Sequence, residues 1–175
     1  MTKFQILMFV LPLVLLFGLS CSSNYPPLEV VKYVDLNKYL GKWYEIARLP
    51  NSFQKNCYGS TAEYSILDEE TIRVINRCFK DSINGELDEV KGKAFVIPNS
   101  NNAKLKVQFF WPFKGDYWII DLDEVNYSYA VVGHPNRNYL WILSREPKMK
   151  PEIYNSLLEK IKAKGFDITK LIKDI

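Results

Sequence analysis

Eight short segments of strand-like composition follow one another between residues 43 and 145, and this repetition constrains the fold more than any other feature. Each segment is rich in β-branched or aromatic residues and ends near Gly, Pro, Asn or Asp. The fifth alternates most regularly, with Leu105 and Val107 on one face and lysines on the other. The predicted strands cover residues 43–50, 57–66, 71–79, 88–97, 103–110, 116–122, 127–134 and 138–145.

The short connections between these strands predict antiparallel hairpins in chain order. Closing eight such strands into a barrel removes the exposed sheet edges, and the interior then holds packed side chains or one small ligand. After the last strand, Ile153, Leu157 and Ile161 recur at helical spacing between Pro151 and Gly165. We therefore predict an all-β domain over residues 33–175, an eight-stranded antiparallel up-and-down β-barrel with one C-terminal α-helix packed outside.

The first 20 residues have the pattern of an export signal, with Lys3 followed by an apolar run from Ile6 to Phe17. This run is too short to span a bilayer comfortably, so residues 1–20 are predicted to be a signal peptide. The residues before Cys21 resemble the bacterial lipobox, which implies lipidation of Cys21, with ordinary cleavage as the alternative. Ser22 in place of Asp resembles lipoproteins of the outer membrane, and residues 21–32 are predicted to form an extended tether.

The charge balance argues against a nucleic-acid partner, because 23 basic residues face 20 acidic ones and the lysines are scattered. In an oxidising compartment Cys57 and Cys78, at opposite ends of a predicted hairpin, are candidates for a disulfide. Two free buried thiols remain the alternative. His134 is the only histidine and lies in a turn with no nucleophile motif near it, so we expect a solvated turn residue, no metal site and no cofactor.

Three separated motifs resemble the signature regions of the lipocalins. They are Gly41-Lys42-Trp43, the turn that contains Asp123 and Tyr127, and Arg145 at the end of the last strand. The resemblance covers residues 33–175 and implies structural roles for these residues. The first and last strands adjoin when a barrel closes, so an inward Trp43 and Arg145 are expected to meet at the closed end as a cation–π pair. We expect Glu45 to form an ion pair near Arg145.

Period-two counting from these anchors predicts which side chains face the interior and bind a ligand. Several are small, which predicts an unfilled apolar space suited to an acyl chain. The predicted set is Ala47, Ala62, Tyr64, Val74, Gly92, Ala94, Leu105, Val107, Phe109, Tyr117, Ile119, Ala130, Val132, Tyr139 and Trp141.

Two features of this interior and its rim have alternative interpretations. The hydroxyls of Tyr64, Tyr117 and Tyr139 either meet a polar head group near the mouth or satisfy one another. The aromatic loop at residues 110–115, together with Phe53, either leans on a membrane interface or packs on its own aromatic rings.

The resemblance implies a non-enzymatic carrier of a fatty acid or lysophospholipid, associated with envelope maintenance and held to the outer membrane by a lipid anchor, with the periplasmic side favoured over the cell surface. Three alternatives remain open at this point. They are a binder of a tetrapyrrole, sterol or carotenoid, an enzyme that uses a free cysteine, and a scaffold with a filled barrel. The sequence also leaves open whether two chains pair as a homodimer.

Overall fold

The computed structural model describes residues 25–68 and 71–174. The predicted signal peptide and the predicted lipidation of Cys21 lie outside the described residues. Within the described part of the chain, no helix is long and apolar enough to cross a bilayer.

The strands form one antiparallel sheet that closes on itself. Consecutive strands pair from β2 to β8, β8 then pairs with β1, and β1 pairs back onto β2. This ring confirms the predicted eight-stranded up-and-down barrel. Its strands are β1 (Gly41–Arg48), β2 (Cys57–Ile66), β3 (Thr71–Lys80), β4 (Leu87–Val96), β5 (Lys104–Gln108), β6 (Gly115–Leu122), β7 (Tyr129–Gly133) and β8 (Leu140–Ser144).

The predicted C-terminal helix is α2 (Pro151–Ala163), with a proline in its first turn and Gly165 at φ +87° just beyond its end. Its buried Leu157 and Ile161 pack against outward side chains of the barrel. A short helix, α1 (Leu36–Tyr39), precedes β1, and the Asp35 carboxylate caps it by accepting a hydrogen bond from the Asn37 N–H. Single 3₁₀ turns occur at Ser52–Gln54 and Ile168–Lys170.

Two apolar clusters share the barrel wall. The interior cluster includes Trp43, Val74 and Ile119, whereas the outer cluster joins the wall to α2. On β6, Tyr117 and Ile119 face the interior and Trp118 and Ile120 face α2. A strand that is apolar on both faces is thus explained by burial on both sides.

A β-bulge in β1 changes which residues face the interior. Glu45 lies opposite Leu143, but Ala47, two residues later, lies opposite Ile142, so the alternation shifts by one residue at Ile46. Ala47 therefore packs in the outer cluster and Arg48 lies opposite the inward Trp141. The expectation that Ala47 faces the interior is wrong, because it assumed unbroken alternation along this strand.

A ninth strand, β9 (Ile172–Lys173), was not predicted. It pairs with Ala47 and Arg48 where β1 has separated from β2, since the direct β1–β2 pairing stops at Tyr44. The next residue, Asp174, accepts hydrogen bonds from the Gly59 and Ser60 N–H groups of β2. The C-terminus thereby bridges the two strands on the outside of the barrel.

A groove of about 370 Å³ lies beside this bridge, outside the barrel. Its walls come from β1, from β2, from the end of β3 and from the loop that follows β3. The lining residues are Lys42, Tyr44, Glu45, Gly59, Ser60, Thr61, Arg77, Cys78, Phe79, Ile83, Leu87, Pro147 and Asp174.

The N-terminal segment from Tyr25 onward lies against the barrel, although residues up to 32 were expected to belong to an extended tether. Leu28 is buried in the outer cluster, and the Val31 N–H donates to the Ile119 carbonyl at 3.0 Å. Val34 is fully buried in the interior cluster. The apolar residues at 28, 30, 31 and 34 explain why this stretch packs.

Candidate binding site

Trp43 forms the floor of the barrel at its closed end. Its side chain is fully buried, and its indole N–H donates to the Tyr39 carbonyl at 2.8 Å. The Arg145 guanidinium lies 3.8 Å from the indole centroid, as a cation–π contact requires. Arg145 also donates to the carbonyls of Lys38, Leu40 and Lys42, which fixes the segment before β1 across the floor. Gly41, the first residue of β1, has φ +89°, a conformation that favours glycine.

The turn between β6 and β7 braces the same closed end. The Asp123 carboxylate accepts hydrogen bonds from the Asn126 N–H and the Ser128 hydroxyl. Burial alone would raise the pKa of this carboxyl, but the hydrogen bonds from Ser128, Asn126 and Val125 lower it. The Tyr127 hydroxyl accepts from the Asp35 N–H at 2.8 Å, which joins this turn to α1.

Arg145 has a different role toward Glu45 than the sequence suggested. Glu45 pairs with Arg48, at 2.6 Å between Oε1 and Nη1, and not with Arg145. Arg145 contacts backbone carbonyls and the indole face instead. The bulge at Ile46 explains the difference, because it brings Arg48 to the inner side beside Glu45.

Three tyrosine hydroxyls meet just above the floor. The Tyr117 hydroxyl lies 2.8 Å from the Tyr39 hydroxyl and 2.8 Å from the Tyr64 hydroxyl. Tyr117 thus bonds directly to both Tyr64 and Tyr39 in the closed half of the barrel, and the idea that Tyr64 and Tyr117 meet a head group at the mouth is wrong. Burial raises the pKa of Tyr64 to about 12 and that of Tyr39 and Tyr117 well above the usual value.

These raised pKa values predict a loss of stability at alkaline pH. The unfolded chain releases tyrosine protons near pH 10, while the folded chain retains them, so the stabilisation is complete below about pH 10 and is lost as pH rises toward 12. Thermal unfolding between about pH 8 and about pH 11 should show a decline that is smaller in Tyr117→Phe. An equal decline in both proteins would contradict this interpretation.

Most of the predicted interior residues line the barrel. Seven of them are buried, namely Tyr64, Val74, Ala94, Leu105, Ile119, Ala130 and Val132. Those that remain partly exposed and pack against this cluster are Ala62, Val107, Phe109, Tyr117 and Trp141. Three of the partly exposed side chains, Val107, Phe109 and Trp141, lie toward the open end, where β5 ends and β8 begins.

The small residues do not leave the void that the sequence suggested at their own positions. A Cβ on Gly92 would lie 2.6 Å from a ring carbon of Phe109, so this glycine admits the Phe109 ring. Ala94 and Ala130 are covered by the interior cluster. Ala62 and Gly92 keep part of their surface open, and Ala62 lies opposite Asn76, whose buried side-chain oxygen has no partner among the described residues.

A buried polar network lies on the β1 side of the open half. The Gln54 amide donates to the second oxygen of Glu45 at 2.8 Å, and its own oxygen accepts from the Trp141 indole N–H at 2.8 Å. Arg48 also donates to the carbonyls of Gln54 and Cys57. Burial raises the pKa of the Glu45 carboxyl, and Arg48 and Gln54 oppose this shift. Sequence reasoning missed this network, although the charged pair on an inward strand was a visible signal.

Aromatic rings form the rim above this network. Tyr139 stacks on Trp141 with ring centroids 6.2 Å apart, and the ring centroids of Phe53 and Tyr139 are 5.7 Å apart. The His134 side chain lies in the turn after β7 and is 22% exposed, since it packs edge-on against Tyr139 and lies 3.7 Å from an Asp116 oxygen. The expectation of a solvated turn residue is therefore met only in part.

The predicted Cys57–Cys78 disulfide is present at this end of the barrel. The alternation along β2 is interrupted between Tyr58 and Thr61, which allows the Cys57 and Cys78 side chains to point to the same face of the hairpin. Neither sulfur is then a free thiol. Among the described residues, no three His, Cys, Asp or Glu side chains cluster in a way that could hold a metal ion.

A closed floor, an apolar wall and an accessible aromatic mouth define a β-barrel binding protein with one end open to ligand. The model of the lipocalin-like domain family matches residues 34–174. The chain belongs to the lipocalin family.

The chain is similar to several characterised relatives along most of its length. It is 42% identical to the outer membrane lipoprotein Blc of Vibrio cholerae, over 87% of this chain and 89% of that protein. It is 35% identical to mouse apolipoprotein D, over 94% and 92% of the two chains. Among solved structures, insecticyanin from the tobacco hornworm superposes with a TM-score of 0.69 at 23% identity, over 86% of this chain and 85% of that one. This last likeness concerns the fold.

Proposed function

We propose that the barrel binds one fatty acid or lysophospholipid, with the acyl chain in the open half of the interior. The observation that carries this proposal is that apolar side chains of the interior stay partly exposed toward the mouth, at Val107, Phe109 and Trp141. Apolar surface that remains accessible inside a preformed barrel favours an apolar ligand.

The energy available from this wall is sufficient for binding. Each buried methylene contributes about 0.8 kcal/mol, so eight methylenes contribute about 6 kcal/mol before ordering costs. The head group would stay near the rim, where Phe53 and Tyr139 are accessible. The unpartnered oxygen of Asn76 offers one acceptor to a ligand hydroxyl or a protonated carboxyl.

We also propose that the chain is an outer membrane lipoprotein, lipidated at Cys21 and facing the periplasm, where it carries acyl lipids for envelope maintenance. The relative in Vibrio cholerae is named an outer membrane lipoprotein, and the leader of this chain has the matching pattern. The structural residues Gly41, Trp43, Asp123, Tyr127 and Arg145 would hold the floor, with no part in ligand contact.

A displacement titration with a fluorescent fatty acid tests the binding site. Val107→Trp should weaken binding by about tenfold or more, because the larger ring fills the space that the acyl chain needs. Lys93→Trp places the same ring on the outer face of the adjacent strand, where Lys93 is exposed, and should leave affinity unchanged. Equal affinity in both variants, or no binding by the unaltered protein, would overturn the proposal.

A further inference from the structure

The loop between β5 and β6 presents an aromatic cluster to solvent. The exposed fractions are 72% for Phe110, 86% for Trp111 and 77% for Phe113. The Phe113 N–H donates to the Phe110 carbonyl at 2.9 Å, so the chain turns tightly and the rings project outward. These exposures contradict the idea that the loop packs on its own rings.

The chemistry of this cluster matches the interfacial region of a bilayer. Trp and Phe favour that region, and an exposed apolar cluster of this kind marks an interaction surface. The only charge within the loop is Lys114, whose ammonium lies 4.0 Å from the Phe95 ring centroid. The nearest acid, Asp116, is paired with Lys106 at 2.7 Å. The loop therefore carries no uncompensated negative charge toward anionic lipid.

The N-terminal segment reaches the same end of the barrel. Arg137, in the turn between β7 and β8, donates to the Pro26 carbonyl at 2.7 Å and lies 5.3 Å from the Tyr25 ring centroid. This turn adjoins the start of β6, since Trp118 lies opposite Gly133 and His134 contacts Asp116. Cys21 precedes Tyr25 by four residues, which span about 14 Å at most.

We propose that the loop Phe110–Phe113 contacts the lipid bilayer, so that the open end of the barrel faces the membrane that holds the anchor. The proposal uses the proposed lipidation of Cys21, but not the proposed acyl ligand. The loop after β3 lies at the same end and contains Asp81 and Glu86, so contact is confined to the β5–β6 side.

This orientation has a consequence for ligand transfer. A lipid leaving the bilayer would enter the aromatic mouth directly, without crossing water. The closed end, with the exposed Val125 in the β6–β7 turn, would face away from the membrane.

Quenching of tryptophan emission by brominated acyl chains tests the orientation. The full-length lipidated protein is reconstituted in phosphatidylethanolamine and phosphatidylglycerol vesicles, with or without bromine on the acyl chains. We compare the unaltered protein with Trp111→Phe and with Trp111→Phe/Val125→Trp. Both positions are highly exposed, at 86% and 78%, so the fold should tolerate these changes.

The bromine-dependent loss of emission should be about twofold larger in the unaltered protein than in Trp111→Phe, because only Trp111 reaches the acyl region. The tryptophan introduced at the closed end should add no quenching. A brominated chain bound inside the barrel would quench Trp141 equally in all three proteins, so this quenching does not contribute to the difference between them. Equal quenching with and without Trp111, or stronger quenching from the closed end, would overturn the proposal. The fatty-acid titration with Val107→Trp would be unaffected by that failure.

Discussion

Replacing Trp43 with alanine is expected to lower the free energy of unfolding by about 3–5 kcal/mol, the usual cost of removing a large buried aromatic side chain. The indole is fully buried, and its loss would also remove the surface on which Arg145 lies at 3.8 Å. It would leave the Tyr39 carbonyl without its 2.8 Å donor. Chemical denaturation followed by circular dichroism measures the effect.

Trp111→Ala is the matched control, because it removes the same side chain from a position that is 86% exposed. Its cost should stay within about 0.5 kcal/mol. Similar costs for the two variants would show that the floor does not depend on the buried indole.

Arg48→Met is expected to cost about 3–5 kcal/mol at pH 7, because it leaves the Glu45 carboxylate buried without its cation. The side chains of Arg48 and Glu45 are only 6% and 5% exposed, so water cannot replace the lost partner. Burial already raises the pKa of Glu45, and removal of Arg48 raises it further. Protonation then relieves the penalty, so the deficit relative to the unaltered protein should shrink as pH falls toward the unfolded pKa of Glu.

Two further variants separate this effect from lost packing. Glu45→Gln/Arg48→Met removes both charges of this pair and should recover part of the stability. The recovery stays incomplete because buried Asp174, 3.9 Å from Arg48, also loses its cation. Arg77→Met breaks ion pairs with Glu63 and Glu89 that are about one-third exposed or more, and should cost about 1 kcal/mol or less. A pH-independent deficit in Arg48→Met would contradict the account.

The barrel could be predicted from the sequence because each strand carries its own local signal. Segments such as Lys104–Gln108 alternate strictly, and turn residues separate them, so strand positions and order follow without long-range information. The signature residues Trp43 and Arg145 then indicate which end is closed. Their contact needed only that the first and last strands be neighbours.

Side-chain direction could not be predicted wherever a bulge interrupts the alternation. The shift at Ile46 turns Ala47 outward and Arg48 inward, and the residue type at that position does not indicate a bulge. For the same reason the sequence predicts the wrong partner for Glu45, Arg145 instead of Arg48. The bulge lies in the pairing of β1 with β8, and the other edge of β1 pairs at the same level with β9 instead of β2. These contacts join strands far apart in the chain, so they leave no local signal in the sequence.

The free space inside the barrel also escapes prediction from residue size alone. The missing side chain of Gly92 predicts free volume inside the barrel, but the ring of Phe109, which directly follows the neighbouring strand β5, occupies it. The hydroxyls of Tyr39, Tyr64 and Tyr117 fill the space above the floor because three rings, from α1, β2 and β6, converge there. The free volume inside the barrel depends on how neighbouring side chains pack and on their rotamers, which no single residue determines.

A crystal structure with a fatty acid brominated at its terminal carbon would show directly whether the acyl chain lies in the open half of the barrel. The anomalous signal of bromine should appear inside the barrel, above the tyrosine hydroxyls and in contact with Ala62, Val107 and Trp141. A bromine peak confined to the outer groove between Lys42, Arg77 and Pro147, or an interior without bound ligand at saturating fatty acid, would contradict the account.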